Sequence, residues 1–111
     1  MAKYNVKFLQ TALDDLDEII LYIARDSRQG AINVHDKIIK AANRLKEFPM
    51  SGRLVPDEKI GKRGFRIVVV GNYLLFYKVY DKQVVILRIL HGKRDYPHLL
   101  VSFPDESNYE V

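Results

Sequence analysis

The sequence predicts a small α+β domain in the order β-α-α-β-β-β, with a helical hairpin packed on a small antiparallel sheet. Three observations predict it. The opening residues alternate apolar and polar with period two, two consecutive runs between residues 12 and 48 repeat their apolar positions at helical spacing, and three β-branched and aromatic runs after residue 64 are separated by two-residue turns.

Tyr4-Asn5-Val6-Lys7-Phe8-Leu9 fits a strand that places Tyr4, Val6 and Phe8 on one face. Thr11 then stands as an N-cap, with Asp14 three residues on in the capping-box position. A helix is therefore expected over residues 12 to 26, its acidic first turn complementing the helix dipole. Ala12, Leu16, Ile19, Ile20 and Ile23 form its buried stripe. Ser27-Arg28-Gln29-Gly30 breaks the pattern. A second helix carries Ala31, Val34, Ile38, Ala41, Ala42 and Leu45 and stops at Phe48-Pro49, because proline cannot continue it. So short a link makes the two helices antiparallel neighbours.

Residues 49 to 64 hold Pro49, Pro56, Gly52, Gly61 and Gly64 without periodicity and read as one long loop of the kind that carries function or moves. Phe65 to Val70, Tyr73 to Tyr80 and Gln83 to His91 read as a three-stranded antiparallel meander joined by Gly71-Asn72 and Asp81-Lys82. With the helices on one face of this sheet, the other face is expected to be available for function. Residues 1 to 101 are read as a single domain and residues 102 to 111 as a polar, acidic tail. Leu99, Leu100, Val101 and Phe103 beside the acids Asp105, Glu106 and Glu110 lead us to expect the segment from Pro97 onward to pack back on the sheet edge and screen its charge.

A chain of 111 residues with 48% apolar content can bury one core. It has no cysteine, which excludes disulfides and thiolate metal sites. His35, His91 and His98 are scattered, so neither a metal nor another cofactor is implied. The first residues lack the apolar core of a leader, and no window reaches the roughly 18 apolar residues of a membrane span, so a cytoplasmic protein with no membrane partner is expected. The net charge of +4 is unevenly spread. From residue 59 to residue 94 the chain carries Lys59, Lys62, Arg63, Arg66, Lys78, Lys82, Arg88, Lys93 and Arg94 against Asp81 alone, whereas residues 11 to 26 and 101 to 111 are acidic. Such a basic stretch steers a polyanion or an acidic partner.

Four segments in this order resemble the RelE/ParE family of bacterial toxins over residues 4 to about 97. They are Ala12-Leu13-Asp14-Asp15-Leu16-Asp17-Glu18-Ile19; Leu45-Lys46-Glu47-Phe48-Pro49 with Gly52; Asn72-Tyr73-Leu74-Leu75-Phe76-Tyr77-Lys78-Val79; and Ile86-Leu87-Arg88-Ile89-Leu90-His91-Gly92-Lys93-Arg94-Asp95. The resemblance implies the toxin of a type II toxin-antitoxin pair, neutralised by a cognate antitoxin and meeting operator DNA only through it. Two activities occur on this fold: ribosome-dependent cutting of messenger RNA in the RelE branch, and blockage of DNA gyrase in the ParE-like branch. A third reading is a non-enzymatic or decayed toxin retained as an antitoxin-binding module.

Metal-free RNA cleavage requires a base for the 2′-hydroxyl proton, cations for the phosphate charge and an acid for the leaving oxygen. On that reading His91 is the natural acid or base, Arg66 and Arg94 clamp phosphate, and Tyr96 stacks on a base or moves a proton. Lys62, Arg63, Arg66, Lys93 and Arg94 make up the wider polyanion- or target-binding set, and Arg66, His91 and Arg94 are expected to meet at one end of the sheet. Tyr73, Tyr77 and Tyr80 are read as core and strand-pairing residues. The chain departs from the RelE pattern where Val68 replaces the second of two strand lysines, Leu74 replaces the arginine after the hairpin turn, and Leu100 replaces the tail tyrosine. Those departures favour the ParE-like branch.

Overall fold

The strand Gln83–His91 is apolar at six of its nine positions because it lies inside the sheet and is covered on both faces. The computed structural model describes residues 3–92 and 94–105. Its elements are β1 (Asn5–Phe8), α1 (Gln10–Ala24), α2 (Arg28–Arg44), β2 (Arg53–Leu54), α3 (Glu58–Lys62), β3 (Arg66–Val70), β4 (Tyr73–Tyr80), β5 (Gln83–His91) and α4 (Pro97–Leu100). The strands form one sheet in the order β1-β5-β4-β3-β2.

The predicted meander is present, with β3-β4-β5 antiparallel throughout. Gly71 turns the first hairpin at φ 59 and Asp81 the second at φ 52, left-handed conformations that glycine and aspartate tolerate. The sheet is not wholly antiparallel, however. β1 pairs in parallel with β5, Asn5 opposite Gln83 and Phe8 opposite Ile86, so the chain must cross the sheet between them, and α1 and α2 make that crossing.

The expected long loop holds two short elements. Asp57 caps α3, its carboxylate accepting from the Ile60 N–H at 3.0 Å, and β2 pairs Arg53 with Ile67 and Leu54 with Arg66. Helix α1 starts two residues before the predicted boundary, with Leu9 at its N-cap. Thr11 caps nothing; its hydroxyl donates to the Leu87 carbonyl at 2.8 Å. Ser27 caps α2 by accepting from Gly30 N–H at 2.8 Å.

Two cores sandwich the sheet. On one face Ala12 and Leu16 of α1 and Ile38 and Ala42 of α2 pack on Leu75, Tyr77, Val84, Ile86 and Ile89. On the other, Phe65, Phe76, Val85, Leu87 and Leu90 are covered by Val55, Ile60, Leu100 and the flanking Tyr96, Leu99 and Phe103. The face expected to be free is thus largely occupied by α3 and the segment after β5. No helix among the described residues is long and apolar enough to cross a membrane.

A bulge in β5 sets the geometry near the functional end. Phe76 faces Arg88 while the next residue, Tyr77, faces Ile86, which leaves Leu87 without an opposite residue. The backbone groups freed by this irregularity are met from α1. Thr11 takes the Leu87 carbonyl, and Asp15 accepts from Ile89 N–H at 3.0 Å.

Candidate functional site

A groove lies where α1 passes the start of β4 and the end of β5. It encloses about 590 Å³ and is lined by Asp15, Glu18, Tyr22, Tyr73, His91 and Arg94, among others. Cross-strand pairing places Tyr73 opposite His91, and their rings meet edge to face with centroids 5.8 Å apart. Arg94 follows on the turn out of β5, its N–H donating to the His91 carbonyl at 3.0 Å. His91 and Arg94 are both exposed. On the opposite wall Asp15 holds Arg88, whose guanidinium it keeps above its ordinary pKa.

The other predicted residues are not brought here. Arg66 opens β3 opposite Tyr77, whereas His91 shares its row with Tyr73 and Val70, so four residues of strand, roughly 13 Å, separate the two positions. The Arg66 guanidinium turns into the loop and donates to the Gly52 carbonyl at 2.7 Å and to the Met50 carbonyl at 3.4 Å. The expected cluster of Arg66, His91 and Arg94 at one end of the sheet is therefore reduced to His91 and Arg94. Tyr96 stacks at 4.7 Å on Phe76, which belongs to the second core, while the Tyr73 ring beside His91 packs against the first. The phenol and the imidazole thus lie on opposite faces.

Two further cations of the expected set, Lys62 and Arg63, are paired elsewhere. Lys62 pairs with Glu58 at 3.0 Å along α3. Arg63 caps the same helix and is wrapped by residues 101–105, its Nε donating to Asp105 at 2.6 Å. Lys93 lies outside the described residues. Val68 and Leu74, which stand where charges were looked for, pack as apolar residues at the edges of the two cores. Among the described residues no group of three His, Asp or Glu side chains could hold a metal ion.

Asp15 was not among the expected site residues; it entered the sequence reading only in the acidic run of residues 11 to 26 and in the first family-like segment. Its signal was positional: it lies three residues after Ala12 and four before Ile19, within the stripe that buries, where an acid requires a partner.

Residues 6–96 match the family model described as the ParE toxin of the type II toxin-antitoxin system parDE. The chain belongs to the ParE toxin family. A Sinorhizobium fredii protein named "Putative toxin Y4kP" is 30% identical over 100 residues, covering 90% of this chain and all of that protein. Among solved structures, the chromosomal ParDE toxin-antitoxin system from P. aeruginosa matches with a TM-score of 0.68 and 22% identity over 84% of this chain and 100% of that one. The toxin-antitoxin complex RelBE2 from Mycobacterium tuberculosis matches with a TM-score of 0.55 and 26% identity over 80% of this chain and 98% of the other.

In this ParE-family chain the basic stretch is therefore not one continuous surface. It is divided between a groove that holds His91 and Arg94, a loop that holds Arg66, and a second face on which Arg63 and Lys78 meet Asp105.

Proposed function

We propose that this protein is the toxin of a type II toxin-antitoxin pair and arrests growth by binding a cellular protein, DNA gyrase in the ParE-like manner, until a cognate antitoxin covers it. The observation that carries this reading is the separation of Arg66 and Tyr96 from His91 and Arg94. Phosphoryl transfer depends on an acid, a base and cations fixed within a few ångströms of one phosphate. Here Arg66 is spent on Gly52 and Tyr96 on Phe76, and the groove that retains His91 and Arg94 also carries Glu18, which repels a phosphate, and Asp15, whose charge is already met by Arg88. A mixed-charge groove rimmed by aromatic rings fits a protein surface better.

The test is inducible expression without antitoxin, with soluble protein confirmed, followed by two readouts: supercoiling by purified gyrase and toeprinting of a translated message. Growth arrest with lost supercoiling and an uncut message supports the proposal. Codon-linked cuts overturn it in favour of the RelE-like reading, for which His91 and Arg94 in one groove are the supporting observation. Normal growth leaves only the decayed, antitoxin-binding module.

A further inference from the structure

Beyond α4 the chain crosses the second face of the sheet in a way that reads as a ligand in a site. Arg63 Nη1 donates to the Val101 carbonyl at 3.0 Å and Nη2 to the Phe103 carbonyl at 2.6 Å. The Tyr80 hydroxyl donates to the Pro104 carbonyl at 2.6 Å. The Asp105 carboxylate then accepts from Arg63 Nε at 2.6 Å and from Lys78 Nζ at 3.3 Å. Three of these five bonds go to main-chain carbonyls, those of Val101, Phe103 and Pro104, and Arg63 spreads its donors over three acceptors instead of gripping one group with two parallel bonds. A phosphate or a nucleic-acid backbone calls for the second arrangement; a peptide main chain with its carbonyls turned toward the site calls for the first.

Two of the three donors, Lys78 and Tyr80, stand on β4 in the middle of the sheet. Lys78 stands on an inner strand with 8% of its side chain exposed, its ammonium 4.9 Å from the Phe65 ring and 5.4 Å from the Tyr80 ring, and Arg63 lies 5.0 Å over the same Phe65. A lysine covered to this degree needs an anion, and the carboxylate that meets it sits on a terminal segment with 64% of its side chain exposed. The cation is covered and the acid exposed, which makes the acid the replaceable element.

We propose that Arg63, Lys78 and Tyr80 form a peptide-binding site for a segment of a partner protein that leaves a turn and reaches an acid, and that Val101–Asp105, whose Phe103 N–H closes a turn on the Leu100 carbonyl at 3.1 Å, is its intramolecular occupant. The preferred segment follows the occupant: apolar, any residue, apolar, proline, acid. This inference does not rest on the choice between gyrase and ribosome. A tethered segment competes at an effective concentration in the millimolar range, so a partner segment enters only if it binds more tightly or if the tail is loosened.

The experiment uses the full-length chain and a variant with a loosened tail, Phe103→Ser with Asp105→Ala. The probe is an acetylated peptide of the sequence Val-Ser-Phe-Pro-Asp-Glu, titrated to several millimolar while the resonances of Lys78 and Tyr80 are followed by NMR. The loosened chain is expected to bind the peptide at least tenfold more tightly than the wild type, and to lose that gain when the peptide's aspartate becomes asparagine. Adding Arg63→Gln or, as a check independent of its folding, Tyr80→Phe should weaken binding severalfold. Equal affinity in wild-type and loosened chains overturns the proposal, as does the absence of shifts at Lys78 and Tyr80. Displacement of the peptide by a single-stranded oligonucleotide at equal charge concentration overturns it in favour of a general polyanion site.

Discussion

Asp15 on α1 and Arg88 on β5 form a two-bonded ion pair, Nε to Oδ2 at 2.6 Å and Nη2 to Oδ1 at 2.8 Å, with 9% and 17% of their side chains exposed. The same Asp15 oxygen that takes Nε also accepts from the Ile89 N–H. One carboxylate thereby fixes the helix to the sheet, neutralises a half-buried guanidinium beside the groove and repairs the backbone at the bulge.

Asp15→Ala should therefore be among the most damaging single changes in the chain. It leaves a half-buried cation and a buried N–H without their acceptor, an expected loss of about 3–5 kcal/mol. Urea denaturation measures it. Replacing both partners by apolar residues, Asp15→Leu with Arg88→Met, removes the stranded charge but not the stranded N–H, so the double variant should recover most of the loss and retain a deficit of about 1–3 kcal/mol. Full recovery would show that the bulge needs no acceptor from α1.

The strand runs, the two turns and the helical hairpin were legible because each depends on residues near one another in sequence. What escaped depends on partners far apart. Thr11 and Asp14 have the spacing of a capping box, yet the Thr11 hydroxyl is claimed by a carbonyl 76 residues away, and a tertiary partner of that kind leaves no local mark. The parallel position of β1 follows from how the hairpin crosses the sheet, which periodicity does not encode. Asp57 before Glu58 was a readable cap inside the supposed loop. Arg66 was grouped with His91 because both are basic-sheet residues, but strand register, not composition, decides which side chains meet.

Tyr77 is fully buried, donates its O–H to the Pro49 carbonyl at 2.8 Å and accepts from Gly52 N–H at 2.9 Å. Tyr77→Phe should cost about 1–3 kcal/mol, because both loop groups lose their partner in a site that water cannot easily reach. Burial pushes the phenol above its ordinary pKa of 10.0, against the smaller opposing influence of Gly52 and Arg66. The contribution is therefore whole below about pH 10 and is lost as the pH rises further, since the unfolded chain ionises first. Denaturation midpoints from pH 9 to 11 should fall more steeply for the wild type than for Tyr77→Phe.

Asp105 has the opposite sign. Its hydrogen bond from Arg63, with Lys78 adding to it, holds the carboxyl below its ordinary value of 3.8. The hold on residues 101–105 is complete above about pH 4 and weakens as the pH falls through the lowered value. Amide exchange at Phe103 should accelerate between pH 4 and pH 2 beyond the intrinsic trend, and Asp105→Asn should remove that excess. An acceleration on raising the pH from 4 to 7 would contradict the assignment.

His91→Ala and Arg94→Ala remove exposed side chains from the groove and should each change stability by no more than about 0.5 kcal/mol. If the groove meets the target, both variants should accumulate as folded protein and arrest growth less than the wild type. Arg66→Ala is the informative contrast. It removes a charged donor from the Gly52 carbonyl and should lower stability by about 1.5–3 kcal/mol, while the protein that remains folded keeps its toxicity. Growth curves normalised to soluble protein separate the two effects. A toxicity that tracks Arg66 and ignores His91 and Arg94 would move the functional surface from the α1 groove to the loop of residues 49–52.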